Sequence, residues 1–338
     1  MSEDCVCEAF LTIYIITFLI GFPGTVLALC SCIRKIASKP IPIDLFMLNL
    51  AISDLIFLSF LPFKMKEAAD QMIWNMPQIL CQLSLFMFFL PFYSSVLFLT
   101  AISIERYVCV AFPTKYKNPK RIIYTIITCV AIWVTVVGYS ILPYKVTFTD
   151  SHVADNTTKV SFTDSLVADN TTNQRTLVAE PQRCYSKFTK EQLKELLPIR
   201  LSIAVLFFFL PLLICCFFYV SFIRILTNLH LIKRQRKLRA IGLVVGTLLV
   251  FTTCFAPYNV SHLVGFIKKE SPAWRMKTLM LSTLNVCYDQ IIFFCISREM
   301  RKAIKVCAKS VFQFCVYLKQ CVVTAVNLKN GLTKMTSN

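Results

Sequence analysis

Seven long apolar runs constrain the fold of this chain more than any other feature. Each run has the length, about 20 residues, that an α-helix needs to cross a hydrocarbon layer about 30 Å thick. They occupy residues 10–33, 43–63, 80–107, 122–143, 197–222, 240–267 and 276–297, numbered here as spans 1 to 7. The sequence therefore predicts an all-α membrane protein, with a seven-transmembrane helix bundle over residues 10–297.

Composition agrees with this fold and excludes several functions. The 338 residues are 56% hydrophobic and 16% charged, whereas soluble domains have about 45–50% apolar and 25% charged residues. The net charge of +18 comes from basic residues in a few loops and the tail, so we predict no nucleic-acid partner. The cysteines and histidines lack metal-ligand spacing, and catalytic motifs are missing. We therefore predict no metal, no cofactor and no enzyme activity.

Basic residues predict the orientation of the bundle in the membrane. Lysines and arginines are concentrated after spans 1, 3 and 5 and at the start of the tail, and such loops stay in the cytoplasm. Residues 1–9 would then be an extracellular N-terminus, and residues 298–338 a cytoplasmic tail. Lys64, Lys66, Lys268 and Lys269 lie on the opposite side and weaken the bias. The predicted location is the plasma membrane.

The long connection over residues 144–196 would lie outside the cell. It contains a 14-residue unit twice in tandem, and each copy ends in an Asn-Thr-Thr glycosylation sequon, at Asn156 and Asn170. One interpretation is a duplication that the loop tolerates at small entropic cost. The other is that the duplication serves to carry glycans.

The tail mixes basic and apolar residues in a way that predicts a short amphipathic helix lying on membrane lipids. Cys307, Cys315 and Cys321 are palmitoylation candidates in this segment, and free thiols are the alternative.

Two arginines and a histidine stand out near the predicted outer ends of spans 5 to 7. Arg200 lies near the start of span 5 and Arg275 precedes span 7, while Tyr258, Asn259 and His262 share one face of span 6. Arg200 at a span end can also snorkel to the headgroups, which is the alternative. Because these segments carry no acid at that level, we expect a carboxylate ligand, which guanidinium forks bind in bidentate fashion. Apolar neighbours would enclose its alkyl chain: Phe86, Phe89, Leu90 and Val205.

Several motifs resemble those of rhodopsin-like receptors. "AISIERYVCVAFP" contains an Asp/Glu-Arg-Tyr motif at Glu105, Arg106 and Tyr107, "LNLAISDLIF" places an acid at Asp54, and "DQIIF" begins with Asp289. Longer strings, among them "CYSKFTKEQL", "LLPIRLS" and "PYNVSHLVGFIKKESPAWR", are similar to the free fatty acid receptor family, and most similar to its short-chain branch.

This resemblance implies a G-protein-coupled receptor activated by acetate, propionate or butyrate. Its partners would be heterotrimeric G proteins, Gi/o and also Gq by family analogy, together with arrestin. It implies a Cys81–Cys184 disulfide and sodium at Asp54, and it assigns Glu105, Arg106, Tyr107 and Asp289 to activation. An inactive-state lock on Arg106 would use Glu105 alone. The ligand-binding residues would be Arg200, Arg275, His262, Tyr258, Asn259 and Phe89.

Three positions depart from the receptor pattern. Thr25 replaces an asparagine of span 1, while Gln290 and Phe293 replace the proline and tyrosine of the span 7 motif. Because of these departures, one alternative function stays open: a rhodopsin-like receptor for another small carboxylate or a lipid, with weakened signalling. An organic-acid carrier is the alternative from another class, although the spans lack the internal repeats usual in carriers.

Overall fold

The computed structural model describes residues 3–116, 118–161, 184, 188, 190–228, 234–296, 305–306 and 313. All regular elements within these residues are helices. Most of the predicted amphipathic helix lies outside this part of the chain, which includes only its residues 305–306 and 313. The same holds for four predicted modification sites: Cys307, Cys315, Cys321 and Asn170. Asn156 is on a described helix, but its side chain is outside the description as well.

The first four spans lie in helices that extend beyond the apolar runs. They are α1 (Glu3–Ser38), α2 (Pro42–Ala69), α3 (Gln78–Ala111) and α5 (Lys120–Ser161), with the one-turn helix α4 (Pro113–Tyr116) between the last two. A helix satisfies its backbone hydrogen bonds internally, so it can continue past the hydrocarbon layer. In α5 the helix continues through the first copy of the repeat, where we had predicted the loop to begin.

Spans 5 and 6 each contain a widened, π-helical turn. Span 5 consists of α6 (Lys190–Ala204), the π turn Val205–Phe209 and α7 (Leu210–Asn228). Span 6 consists of α8 (Arg234–Leu249), the π turn Val250–Phe255 and α9 (Ala256–Lys268). Each π turn ends two residues before a proline, Pro211 or Pro257, whose missing N–H interrupts the regular ladder.

Span 7 crosses the bundle in two pieces, α10 (Arg275–Ser282) and α11 (Asn285–Ile296). At the break, the N–H of Thr283 donates to the carbonyl of Met280 (3.1 Å) and that of Leu284 to Leu281 (3.2 Å), a tighter pattern than that of an α-helix. In the described part of the chain, six helices, counting spans 5 and 6 with their π turns as one helix each, are long and apolar enough to cross a membrane. The apolar run of span 7 is the seventh crossing.

The bundle is organised around α3, which packs against α2, α5 and α7, and α1 and α8 both contact α11. Interlocking rings fill the middle: Phe92 meets Phe255 and Tyr258 edge to face, with centroids 5.0 and 5.6 Å apart. We call the end that carries Cys81 and Cys184 the disulfide end, and the opposite one the Arg106 end.

A tight turn joins spans 6 and 7 at the disulfide end. Lys269, in the left-handed region with φ of 55°, ends α9. A Cβ at Gly265 would stand 3.0 Å from the carbonyl oxygen of Glu270, so glycine lets the turn fold back onto α9. The turn thereby starts α10, and with it Arg275, beside α9.

Candidate functional site

A disulfide joins Cys81, at the start of α3, to Cys184 in the long connection. This confirms the predicted pairing. Both cysteines are buried with Trp74 and Leu85 in a cluster against which Phe188 also packs. The bond therefore holds the segment just before span 5 against the top of α3.

Arg200 and Arg275 come together beneath this segment. Their guanidinium carbons lie 4.6 and 5.5 Å from the centroid of the same ring, that of Phe188. The sum of these distances, about 10 Å, is the upper limit on the separation of the two carbons. Both arginines are almost completely buried, with 3% and 2% exposure. Arg200 thus points into the bundle, and its burial disagrees with snorkelling to the headgroups.

His262 stands next to the arginines on α9. It is buried and lies edge to face against Tyr258, with ring centroids 4.5 Å apart. Arg200 and Arg275 are both close enough to act on it electrostatically. Its Nδ1 makes no hydrogen bond within the described residues, so a ligand can use that nitrogen.

A cavity of about 40 Å³ opens beside Arg200 and His262. Phe86, Phe89 and Tyr258 form part of its wall, as predicted for the first two from the sequence. Arg200 and His262 supply its basic groups, and most of the other wall is apolar. The full lining is Leu85, Phe86, Phe89, Tyr93, Val136, Tyr139, Ser140, Pro143, Arg200, Ile203, Phe207, Tyr258 and His262.

Two of the predicted wall residues lie elsewhere. Val205 is 46% exposed on the outer surface of the bundle, because it is two residues from Ile203 and so on the opposite side of the helix. Leu90 is buried but does not line the cavity. Asn259 is also buried away from the cavity, and its Nδ2 donates to the carbonyl of Phe255 at 2.9 Å, at the end of the π turn.

At the Arg106 end, the acid of the Glu-Arg-Tyr motif pairs with a different arginine from the one we had expected. Glu105 accepts a hydrogen bond from Arg121 at 2.5 Å. The structure shows no ion pair between Glu105 and Arg106 in this part of the chain, and the inactive-state lock stays a prediction. Neighbouring residues on a helix point about 100° apart, whereas Arg121 enters from the start of α5. Tyr107 packs against Phe218 of α7, with centroids 5.2 Å apart.

Asp54 and Asp289 lie side by side in the middle of the bundle, both buried. Their carboxylate oxygens have no hydrogen-bond donor among the described residues. A cavity of about 10 Å³ adjoins Asp54 and is also lined by Ser95, Ser282 and Asn285. That volume is about the space of one water molecule.

Comparison with known proteins decides the family. The family "7 transmembrane receptor (rhodopsin family)" matches residues 24–293. Free fatty acid receptor 3 of Mus musculus is 37% identical over 322 residues, covering 95% of this chain and 93% of the relative. Free fatty acid receptor 2 of Mus musculus is 37% identical over 304 residues, covering 90% and 86%. The human free fatty acid receptor 3 is 41% identical over 283 residues, covering 84% and 75%.

This chain belongs to the free fatty acid receptor family. It is therefore a G-protein-coupled receptor, a multi-pass protein of the plasma membrane and not an enzyme. The carrier interpretation loses its support, since the match to the receptors extends over nearly the whole chain.

Two of the positions at which this family member departs from the rhodopsin-like pattern are in direct contact. The Nε2 of Gln290 in α11 donates to Oγ1 of Thr25 in α1 at 3.0 Å. Gly24 makes room for the glutamine, because a Cβ on Gly24 would come within 2.8 Å of its side chain. Phe293, the third departure, is fully buried in the core.

Sequence reasoning missed two parts of the site in this free fatty acid receptor homologue. Span 4 contributes to the cavity wall through Val136, Tyr139 and Ser140. Because its sequence is apolar on nearly every side, the sequence does not indicate which face of this helix points into the bundle. Phe188 stands in the family-like string "CYSKFTKEQL", four residues after Cys184. Its position next to a disulfide cysteine was the available signal.

Proposed function

We propose that short-chain fatty acids such as acetate, propionate and butyrate activate this receptor, and that Arg200 and Arg275 bind their carboxylate while His262 completes the site. One observation carries the proposal: two buried guanidinium groups from different spans meet at one ring, beside a small apolar cavity. The names of the relatives, free fatty acid receptors 2 and 3, support a fatty acid as the ligand class.

Electrostatics favours an anion at this position. Two like charges 10 Å apart repel by about 2 kcal/mol at an effective dielectric of about 20, and one attractive contact at 4 Å contributes about 4 kcal/mol before desolvation. Each buried methylene adds only about 0.8 kcal/mol. Binding of a two- to four-carbon acid must therefore depend mainly on its carboxylate.

The size of the cavity favours a short acid over a long one. At about 10–15 Å³ for each water-sized group, the cavity of about 40 Å³ accommodates three or four such groups. The alkyl groups of acetate, propionate and butyrate have one, two and three carbon atoms, so each fits the cavity when the carboxylate lies at the arginines. A long alkyl chain would require the walls to separate or the chain to leave the cavity.

The remaining predicted residues have supporting roles. Phe89 and Tyr258, stacked with centroids 6.0 Å apart, contact the alkyl group, and Tyr258 also holds the ring of His262. Asn259 acts indirectly, through the hydrogen bond from its Nδ2 to the π turn.

Signalling uses the opposite end of the bundle. In the proposed orientation the disulfide end is outside the cell, and the Arg106 end, with Glu105 and Tyr107, meets heterotrimeric G proteins of the Gi/o and Gq types and arrestin. Asp289 belongs to the activation machinery between the two ends. Asp54 binds sodium, for which its own oxygens and those of Ser95 and Asn285 are suitable hard ligands.

The function is tested by measuring G-protein activation and acid uptake in the same cells. Propionate should activate G proteins, methyl propionate should not, and labelled propionate should not accumulate above the level in cells without the receptor. Activation by the ester at equal potency would contradict the proposed role of the carboxylate. Uptake that depends on the protein would indicate a carrier.

The orientation is tested through the repeated segment. If residues 144–196 are outside the cell, glycosidase should increase the electrophoretic mobility of the parent, and the double variant Asn156→Gln/Asn170→Gln should show no shift. A parent that carries no glycan, together with an epitope in the repeat that is detected only after permeabilisation, would reverse the orientation.

A further inference from the structure

Phe188 lies in the connection before span 5, outside the residues that we assign to the carboxylate. Its ring is nevertheless in contact range of both arginines, with guanidinium carbons 4.6 and 5.5 Å from its centroid. Cations within about 6 Å of an aromatic centroid are attracted by the negative face of the ring. One side chain thus contacts both cationic groups of the proposed site.

Neighbouring side chains hold the ring of Phe188 in place. Phe188 packs against the cluster of Trp74, Cys81, Leu85 and Cys184, which contains the disulfide. The disulfide ties the backbone four residues before Phe188 to the top of α3. Leu85 belongs to α3 and Trp74 to the turn before it, so the ring of Phe188 is held against the start of α3.

An aromatic ring suits this position better than an acidic side chain would. Two like charges held close together in a buried site repel each other, and either a carboxylate or a π face can offset that repulsion. A carboxylate would occupy guanidinium N–H donors. A ring attracts the cations without accepting strong hydrogen bonds, and so leaves donors for the ligand.

We propose that Phe188 is a positioning residue that holds Arg200 and Arg275 together, ready for the carboxylate, through simultaneous cation–π contacts. This inference rests on the proposed function, because it concerns the same anion site. It gives the disulfide a specific purpose, because the Cys81–Cys184 bond helps to place one ring against two cations. It also predicts that the electron density of the ring, and not only its volume, sets ligand potency.

The test replaces Phe188 with phenylalanines that carry one, two and three fluorine atoms, introduced by nonsense suppression in the full-length receptor. Fluorine withdraws density from the ring face with little change in shape. Propionate potency should decrease step by step, by about 3- to 30-fold over the series, the range that cation–π contacts span. Phe188→Trp should keep potency near that of the parent, while Phe188→Leu should lose as much as the trifluorinated ring.

Phe63 provides the matched control, because it packs against the same cluster. The same fluorinated series at Phe63 should leave propionate potency unchanged, and receptor at the cell surface should be equal in all variants. If propionate potency is the same in all fluorinated variants at Phe188 but decreases in Phe188→Leu, the ring only fills space and the inference is overturned. A parallel decrease at Phe63 would do the same.

Failure of the proposed function gives a different result. In that case Arg200→Ala and Arg275→Ala would respond to propionate like the parent, whatever the series at Phe188 shows. If both arginine variants lose potency and the fluorinated series is flat, the carboxylate site stands and only the role of Phe188 is wrong.

Discussion

The disulfide end of the bundle and the contact between spans 1 and 7 differ in how they relate to the receptor pattern. At the disulfide end, within strings similar to those of the free fatty acid receptors, Arg200 and Arg275 meet at the ring of Phe188, and Arg200 and His262 line one small cavity. In the middle of the bundle, Thr25 and Gln290 replace the residues usual in the class, yet they hydrogen-bond to each other across spans 1 and 7.

This contrast shows that departures from a family pattern need not weaken a structure independently. A proline at position 290 would have no N–H and no side-chain amide, so the contact with Thr25 would be lost. Glutamine restores the backbone donor and reaches span 1 past Gly24. We interpret Thr25 and Gln290 as one coupled change, which alters the junction of spans 1 and 7 while leaving the ligand site intact.

The largest effect should follow from removing the disulfide. Cys81 and Cys184 are 103 residues apart, and a link across about 100 residues stabilises by up to about 5 kcal/mol in a chain-entropy description. Cys81→Ser, Cys184→Ser and the double variant should lower the thermal unfolding midpoint in detergent equally, and all three should reduce propionate potency. Cys216→Ser, at an exposed free cysteine, is the control. Additive losses in the double variant would argue against the bond.

A smaller effect is expected from the contact between Thr25 and Gln290. One partly buried hydrogen bond contributes about 1 kcal/mol, so Thr25→Val and Gln290→Met should each lower the unfolding midpoint modestly, and the double variant should fall no further than either single one. Propionate potency should not change.

A second test of this coupling restores the residues that are usual in rhodopsin-like receptors at positions 25 and 290. Thr25→Asn or Gln290→Pro alone should destabilise the receptor, and the two together should recover part of the loss. Strictly additive losses in this exchange would show that the two positions are independent.

The smallest effect should come from Arg121. Its pair with Glu105 is partly exposed, with 23% and 11% side-chain exposure, and such pairs contribute about 1 kcal/mol or less. Arg121→Ala frees Glu105 to pair with Arg106, so basal and maximal G-protein activation should decrease about two- to fivefold at unchanged propionate potency. Adding Glu105→Gln should restore activation. An increase in basal activity in Arg121→Ala would contradict this role.

Much of the fold could be predicted from apolar length alone, because the bilayer imposes a minimum on every crossing helix. The ends of α1 and α5 could not, since a helix can continue into water at little cost. The break at Thr283 could not either, because no proline or glycine marks it in the sequence.

The candidate site shows the same division between local and tertiary information. Arg200, Arg275 and His262 were identifiable because charged residues are rare and costly in apolar spans. Val205 was misplaced because the phase of a uniformly apolar helix is ambiguous. Phe188 depends on a disulfide to a distant helix, and the pairing of Glu105 with Arg121 depends on where α5 begins, so neither follows from sequence spacing.

Propionate potency in Arg200→Ala and Arg275→Ala tests the central claim most directly. Each change removes one buried, charge-assisted contact, which costs about 3 kcal/mol or more, so potency should decrease at least about 100-fold at normal surface expression. Lysine at either position should rescue only in part, because it offers no planar fork. Lys268→Ala, which removes an exposed cation at the same end, should behave like the parent. An Arg200→Ala receptor with the propionate potency of the parent would contradict the account and place the ligand elsewhere in the bundle.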